Sequence, residues 1–223
     1  MCGAAGGGTI YCILSLYMSL EDNILEFESF EEDGSVLMAA EISWRGFATE
    51  LQELHHLKGA QFVNQLKLIV SEGEFHPVKG TSNIFSAISE QSDDFDNLIN
   101  AAYKAVEHGY HVYILPNPKG IRTADFIFER KGVYKMFDLK TITGKNSVGN
   151  RLSESIGQTN RVLLHMTADY NPSTLARSIK MYFESNDDAL EVLILKGKKI
   201  ISVTRDLTLS HEYYNIFMKR SIR

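Results

Sequence analysis

Asp125, Asp138 and Lys140 are the side chains whose types and spacing can do chemistry together in this 223-residue chain. They lie within residues 123–140, TADFIFERKGVYKMFDLK, where two apolar and aromatic runs are broken at Arg130-Lys131-Gly132. The pattern predicts two strands, Ala124–Glu129 and Val133–Thr141, joined by a turn. Side chains alternate along a strand, so Asp138 and Lys140 share a face. If Lys131-Gly132 is a two-residue turn, Arg130 pairs with Val133 and Asp125 falls across from Asp138. If Arg130-Lys131-Gly132 is a three-residue loop, Glu129 pairs with Val133 and Asp125 moves to the opposite face. Turn chemistry alone leaves both registers open. In the first, two close carboxylates repel unless a cation lies between them, and hard oxygen ligands suit magnesium. A lysine on the same face can hold a phosphate or orient a water, which together are the parts of metal-assisted phosphodiester cleavage. The plainer alternative is an amphipathic hairpin with solvated charges.

The elements that must position these side chains are legible from periodicity. Ser92–His108 reads as a helix capped by Ser92 or Asp93, with acids in its first turn, an apolar stripe from Phe95 to Val106, and a stop at Gly109. A strand, His111–Pro116, leads through a loop to the two site strands. Residues 146–160 read as a helix and Val162–Met166 as a short buried strand. Pro172–Glu184 is a helix with proline in its first turn, and Leu190–Leu195 and Lys199–Thr204 form a hairpin on Lys196-Gly197-Lys198. Ser210–Arg223 is expected to be a last helix with Tyr213, Tyr214 and Phe217 inward.

Ahead of this, Ile24–Phe30 and Val36–Ser43 read as an acidic antiparallel pair, and Arg45–Ser71 as helical with a break at Gly59. Glu72–Ser92, with Pro77, Gly80 and several serines, reads as a linker or exposed loop. The expected division is therefore a low-complexity tail or mis-assigned start at 1–17, an acidic hairpin-and-helix arm at 18–91, and the main domain at 92–223. His55 and His56 lack the spaced partners of a zinc site and read as surface histidines.

Net charge is −5, but it is unevenly spread. Residues 18–116 carry a balance of −12 and residues 117–161, which hold the candidate site, +5. A basic stretch at the site is what a polyanionic substrate requires. Cys2 and Cys12 cannot staple the fold, so a reducing compartment is compatible. The expected location is the cytoplasm, with export to another cell left open. Thr9–Leu20 is the longest apolar run and is too short to span a bilayer, so no membrane partner is expected.

Ala124-Asp125 and Asp138-Leu139-Lys140 resemble the PD and D-x-K elements of the PD-(D/E)XK nuclease superfamily, with alanine in place of the proline. The order from Ser92 (helix, three strands, helix, strand) matches that family's α-β-β-β-α-β core over residues 92–168. The resemblance implies a mixed α/β, restriction-endonuclease-like fold. It also implies a metal-dependent endonuclease using Mg2+ or Mn2+, with Asp125 and Asp138 as metal ligands and Lys140 catalytic. Gln158, on the following helix, would orient Lys140 or a phosphate. Arg151, Arg161 and Lys145 would contact the substrate backbone. Glu107 would stand in for the acid the family often carries in its first helix, where this chain has Asn97 and Asn100. The run AAYKAVEHGYHVYILP, with ADFIF and YKMFDLKTITG after it, is similar to the C-terminal nuclease domains of contact-dependent growth inhibition toxins. That likeness implies RNA, in particular tRNA, as substrate and an immunity-type inhibitor protein as partner. An RNA 2′-hydroxyl would also permit a metal-free route. Two other readings stay open: a nuclease-like fold that only binds a protein, and a DNA-directed restriction or repair enzyme.

Overall fold

The computed structural model describes residues 28–30, 36–38, 42–88, 92–116, 123–144 and 147–222. Residues 1–17 and Lys145 lie outside them. Two short strands, β1 (Glu28–Phe30) and β2 (Val36–Met38), pair antiparallel as the acidic hairpin was expected to. Ser43 then caps α1 (Trp44–Lys58) by accepting the Gly46 N–H. Gly59, at φ 84°, breaks it from α2 (Ala60–Glu72).

The stretch expected as a linker instead contributes strands β3 (His76–Pro77) and β4 (Ile84–Ser86). Ile84, Phe85 and Ser86 are all buried, which serines and a nearby glycine had masked in the sequence. The remainder is α3 (Phe95–Val106), β5 (His111–Ile114), β6 (Phe126–Arg130), β7 (Val133–Ile142), α4 (Val148–Glu154), β8 (Arg161–Met166), α5 (Pro172–Ser185), β9 (Glu191–Lys196), β10 (Lys199–Thr204), α6 (Arg205–Leu209) and α7 (Tyr213–Ile222). From α3 to β8 this is the expected helix, three strands, helix, strand.

Strands β3 to β10 form one mixed eight-stranded sheet in the order β10-β9-β8-β7-β6-β5-β4-β3. β4 and β5 are parallel, β5-β6-β7 is an antiparallel meander, and β7-β8-β9 is parallel. The β6–β7 connection is the two-residue turn: Arg130 pairs with Val133, and Lys131 and Gly132 take φ 55° and 77°. Two successive positive φ values twist the chain in the sense a hairpin needs. The Glu129 carboxylate closes the turn by accepting the Gly132 N–H at 2.6 Å.

Alternation along β6 and β7 sorts the core by face. Phe126, Phe128, Phe137 and Leu139 pack with α3 on one side. Ile127, Tyr134 and Met136 pack with α1 and α2 on the other. Further along that second side, Ile142, Val162 and Leu164 pack with α4, α5 and α7. Each fully buried large apolar side chain contributes roughly 1.5–3 kcal/mol, and these layers set β7 rigidly at the centre of the sheet. Helix α4 stops at Glu154, well short of the expected residue 160, because Gly157 at φ 88° belongs to a turn rather than a helix. Tyr213 and Phe217 are inward as expected, whereas Tyr214 is 41% exposed.

Candidate active site

Asp138 and Lys140 lie on the face of β7 that carries Tyr134, Met136 and Ile142, between its two apolar clusters. The regular β6–β7 ladder ends at Phe126 paired with Phe137. One residue earlier the Asp125 N–H donates to the Phe137 carbonyl, at 3.0 Å. Its carboxylate accepts the Leu139 N–H at 2.6 Å. Asp125 thus replaces, with its side chain, the backbone partner that β6 no longer supplies as it leaves the ladder. That bond fixes the carboxylate beside Asp138.

Asp138 is only 1% exposed. The Lys140 ammonium lies 2.8 Å from its Oδ1 and 2.7 Å from its Oδ2, yet Oδ2 has no well-aligned hydrogen-bond donor. Burial raises the Asp138 carboxyl strongly, Lys140 opposes this, and the Asp125 charge adds to it, so that it is pushed up to about 7. Asp125 is raised as well, chiefly by burial, against the lowering effect of the Leu139 N–H and Lys140. A carboxyl pushed up to about 7 beside a second raised carboxyl favours a proton or another cation at the pair. The donor set fits a hard divalent cation: two carboxylates, one of them with a buried oxygen lacking an aligned donor. Among the described residues there is no group of three or more His, Cys, Asp or Glu that could hold a metal, so waters and main-chain oxygens would have to complete a shell.

The other expected site residues that are described make their hydrogen bonds and ion pairs elsewhere. Gln158 sits in the turn after α4 and donates its amide to the Glu154 carbonyl at 3.3 Å. Arg151 is exposed and paired with Glu154 at 2.8 Å. Glu107 caps the far end of α3, exposed and bonded to Lys104 at 2.9 Å, which holds its carboxyl below the usual range.

Arg161 is the clearest correction. It is 7% exposed and inward, bound to Glu50 at 2.9 Å, Glu53 at 2.6 Å and Glu191 at 3.1 Å. Its place on a polar stripe suggested a phosphate contact, but long-range acids from α1 and β9 claim it. Glu50 also accepts the Met136 N–H of β7 at 3.0 Å, and burial raises its carboxyl despite Arg161. Glu191 is also desolvated, but Lys135 at 2.7 Å and the Ser202 hydroxyl at 2.6 Å outweigh this and lower it.

One charged neighbour of the site was not singled out from the sequence. Asp94, at the N-cap of α3, makes no capping hydrogen bond, and its charge bears on Asp125. An acid at the start of a helix is ordinary, and only the fold brings this one near β6.

No family model and no curated protein matches the chain. Among solved structures it is similar to a CdiA-CT/CdiI toxin and immunity complex from Burkholderia pseudomallei, at 19% identity and a TM-score of 0.37. The match covers 52% of this chain and 92% of that one. A score this low establishes no shared fold, and the functional reading stands on the site's own geometry. Among the described residues no helix is long and apolar enough to cross a membrane.

Proposed function

We propose that the chain is a divalent-cation-dependent nuclease of the PD-(D/E)XK type, acting on RNA, with tRNA as the leading substrate class. The observation that carries this reading is the buried Asp138 carboxylate, raised to about 7, with Asp125 beside it and the Lys140 ammonium against it. Such a group costs stability, and a perturbed acid beside a second acid and a lysine marks a functional-site candidate. Asp125 and Asp138 would hold Mg2+ or Mn2+. When bound, the ion supplies Lewis-acid polarisation of the phosphate and a more acidic water. The protein's own part is positioning. Leu139 N–H fixes Asp125, the β6–β7 register fixes Asp138, and Lys140, no longer needed to neutralise Asp138, is free to hold a phosphoryl oxygen or orient a water. Arg151 retains a place near substrate only if it leaves Glu154. An immunity-type inhibitor protein covering this site belongs to the same reading.

The test is incubation of the purified protein with total tRNA, rRNA and plasmid DNA, with and without Mg2+. Cleavage of tRNA that chelator stops and Mg2+ or Mn2+ restores is the expected result. Undiminished cleavage by both Asp138→Ala and Lys140→Ala would remove the assignment. No cleavage of any nucleic acid would favour a protein-binding role.

A further inference from the structure

On the opposite face of β7, immediately after Lys140, stands a second polar cluster that the carboxylate site does not use. Thr141 donates its hydroxyl to Asn97 Oδ1 of α3 at 2.6 Å. The parallel register puts His165 of β8 next to Thr141, on the same face. Along α3, Asn97, Ala101 and Lys104 follow at steps of four and three and so share one side of the helix. Ala101 is fully buried against the sheet. The helix therefore lays Asn97 over Thr141 and carries Lys104 toward His165, whose imidazole is lowered first by burial and then by the Lys104 charge.

His165 Nδ1 is sealed in the interior without a hydrogen-bond partner. An orphaned acceptor is cheaper than an orphaned N–H, so the neutral ring keeps its hydrogen on Nε2. The ring is half-buried, and its polar contact with the exterior is that Nε2–H. Among the described residues the Asn97 amide nitrogen has no hydrogen-bond partner either. The cluster thus presents an imidazole N–H, an amide and an ammonium, all donors. The acids of α3 and its start, Asp93, Asp94, Asp96 and Glu107, are all exposed, and Glu107 is bonded to Lys104. From β9, the neighbour of His165 is apolar, Leu195.

We infer that Asn97, Lys104, Thr141 and His165 form a second anion site that takes a phosphate group of the bound nucleic-acid strand, flanking the one held at Asp125 and Asp138. The inference rests on the nuclease reading and deepens it. Lys140 and Thr141 are consecutive and face opposite ways, so the two sites lie on opposite faces of β7, and a bound strand would have to pass over the end of β7 to meet both. Phosphate contacts of this kind position a substrate and carry no sequence information.

The test is NMR titration of the His165 ring, assigned by its loss in His165→Gln, in chelator so that nothing is cut. The probes are inorganic phosphate and a short 2′-O-methylated RNA strand. Both are expected to raise the His165 titration midpoint by about one unit, because an anion favours the imidazolium. The rise should shrink in Lys104→Ala and in Thr141→Val. A midpoint that neither probe moves, or that moves equally in both variants, overturns the site. Response to phosphate without response to RNA overturns its assignment to a nucleic-acid strand. If the protein cuts nothing but RNA still moves His165 through Lys104, the cleavage reading falls and this one stands.

Discussion

Asp138 carries a cost that is visible without any substrate. A carboxyl raised from 3.8 to about 7 on folding binds more protons in the native state than in the unfolded one between those values. Stability therefore falls as pH rises through that window and is constant above it. Asp138→Asn removes the titration. The stability gap between variant and wild type is expected to move in the variant's favour by on the order of 1–3 kcal/mol from pH 4–5 to pH 7.5, on top of a pH-independent cost of leaving Lys140 without its partner. Urea melts at the two pH values measure this, and an equal gap at both would mean that Asp138 is already ionised at low pH. A cation held by the same pair would displace the proton that Asp138 binds below about 7. Its affinity, followed calorimetrically, should fall as pH drops below about 7, with proton release in buffers of different ionisation heat.

At the scale of elements, the site depends on one turn and one helix contact. Register is set by Lys131-Gly132, and a slip of one residue would carry Asp125 to the far face. Helix α1 locks this hairpin from outside. A Cβ on Gly46 would lie 2.5 Å from the Gly132 carbonyl and 2.7 Å from the Tyr134 ring. The carbonyl is backbone and cannot swing aside. Gly46→Ala is expected to cost about 1–3 kcal/mol by displacing α1 from the hairpin, read from chemical denaturation. A cost below half a kilocalorie would show that α1 does not bear on the turn. The same substitution at Gly149, where an added Cβ meets nothing within 4 Å, serves as a control.

Across the whole molecule, Arg161 and its three acids join α1, β7, β8 and β9. Arg161→Met leaves Glu50 and Glu191 buried with reduced compensation, and is expected to destabilise by roughly 3–5 kcal/mol. A change under 1 kcal/mol would place the network's role elsewhere. The buried α1–α2 cluster bears on the expected arm in the same way. Tyr113, Leu115, Ile127 and Met136 of the sheet are covered by Phe47, Leu51, Leu54, Val63, Leu66 and Val70. A fragment of residues 92–223 would expose that face and lack β3 and β4. It is expected to aggregate or to lose its sharp melting transition, where an independent domain would keep both.

The sequence determined what repeats locally. Alternation along β6 and β7, the stripe of α3 and the breaks at Gly59, Gly109 and Gly132 follow from periods of two and 3.6 and from the need for glycine at positive φ. Asp138 with Lys140 followed from the same alternation, because residues two apart on a strand need no tertiary information to share a face. The tertiary structure decided what depends on distant partners. It chose between two turns of equal local merit, and it drew Arg161 inward, because a guanidinium looks the same in sequence whether it meets phosphate or three glutamates. It also brought the charge of Asp94 to bear on Asp125 and that of Lys104 on His165, and set Asn97 and His165 against Thr141. Charges act through space, and the chain brings these together only after its sheet has formed.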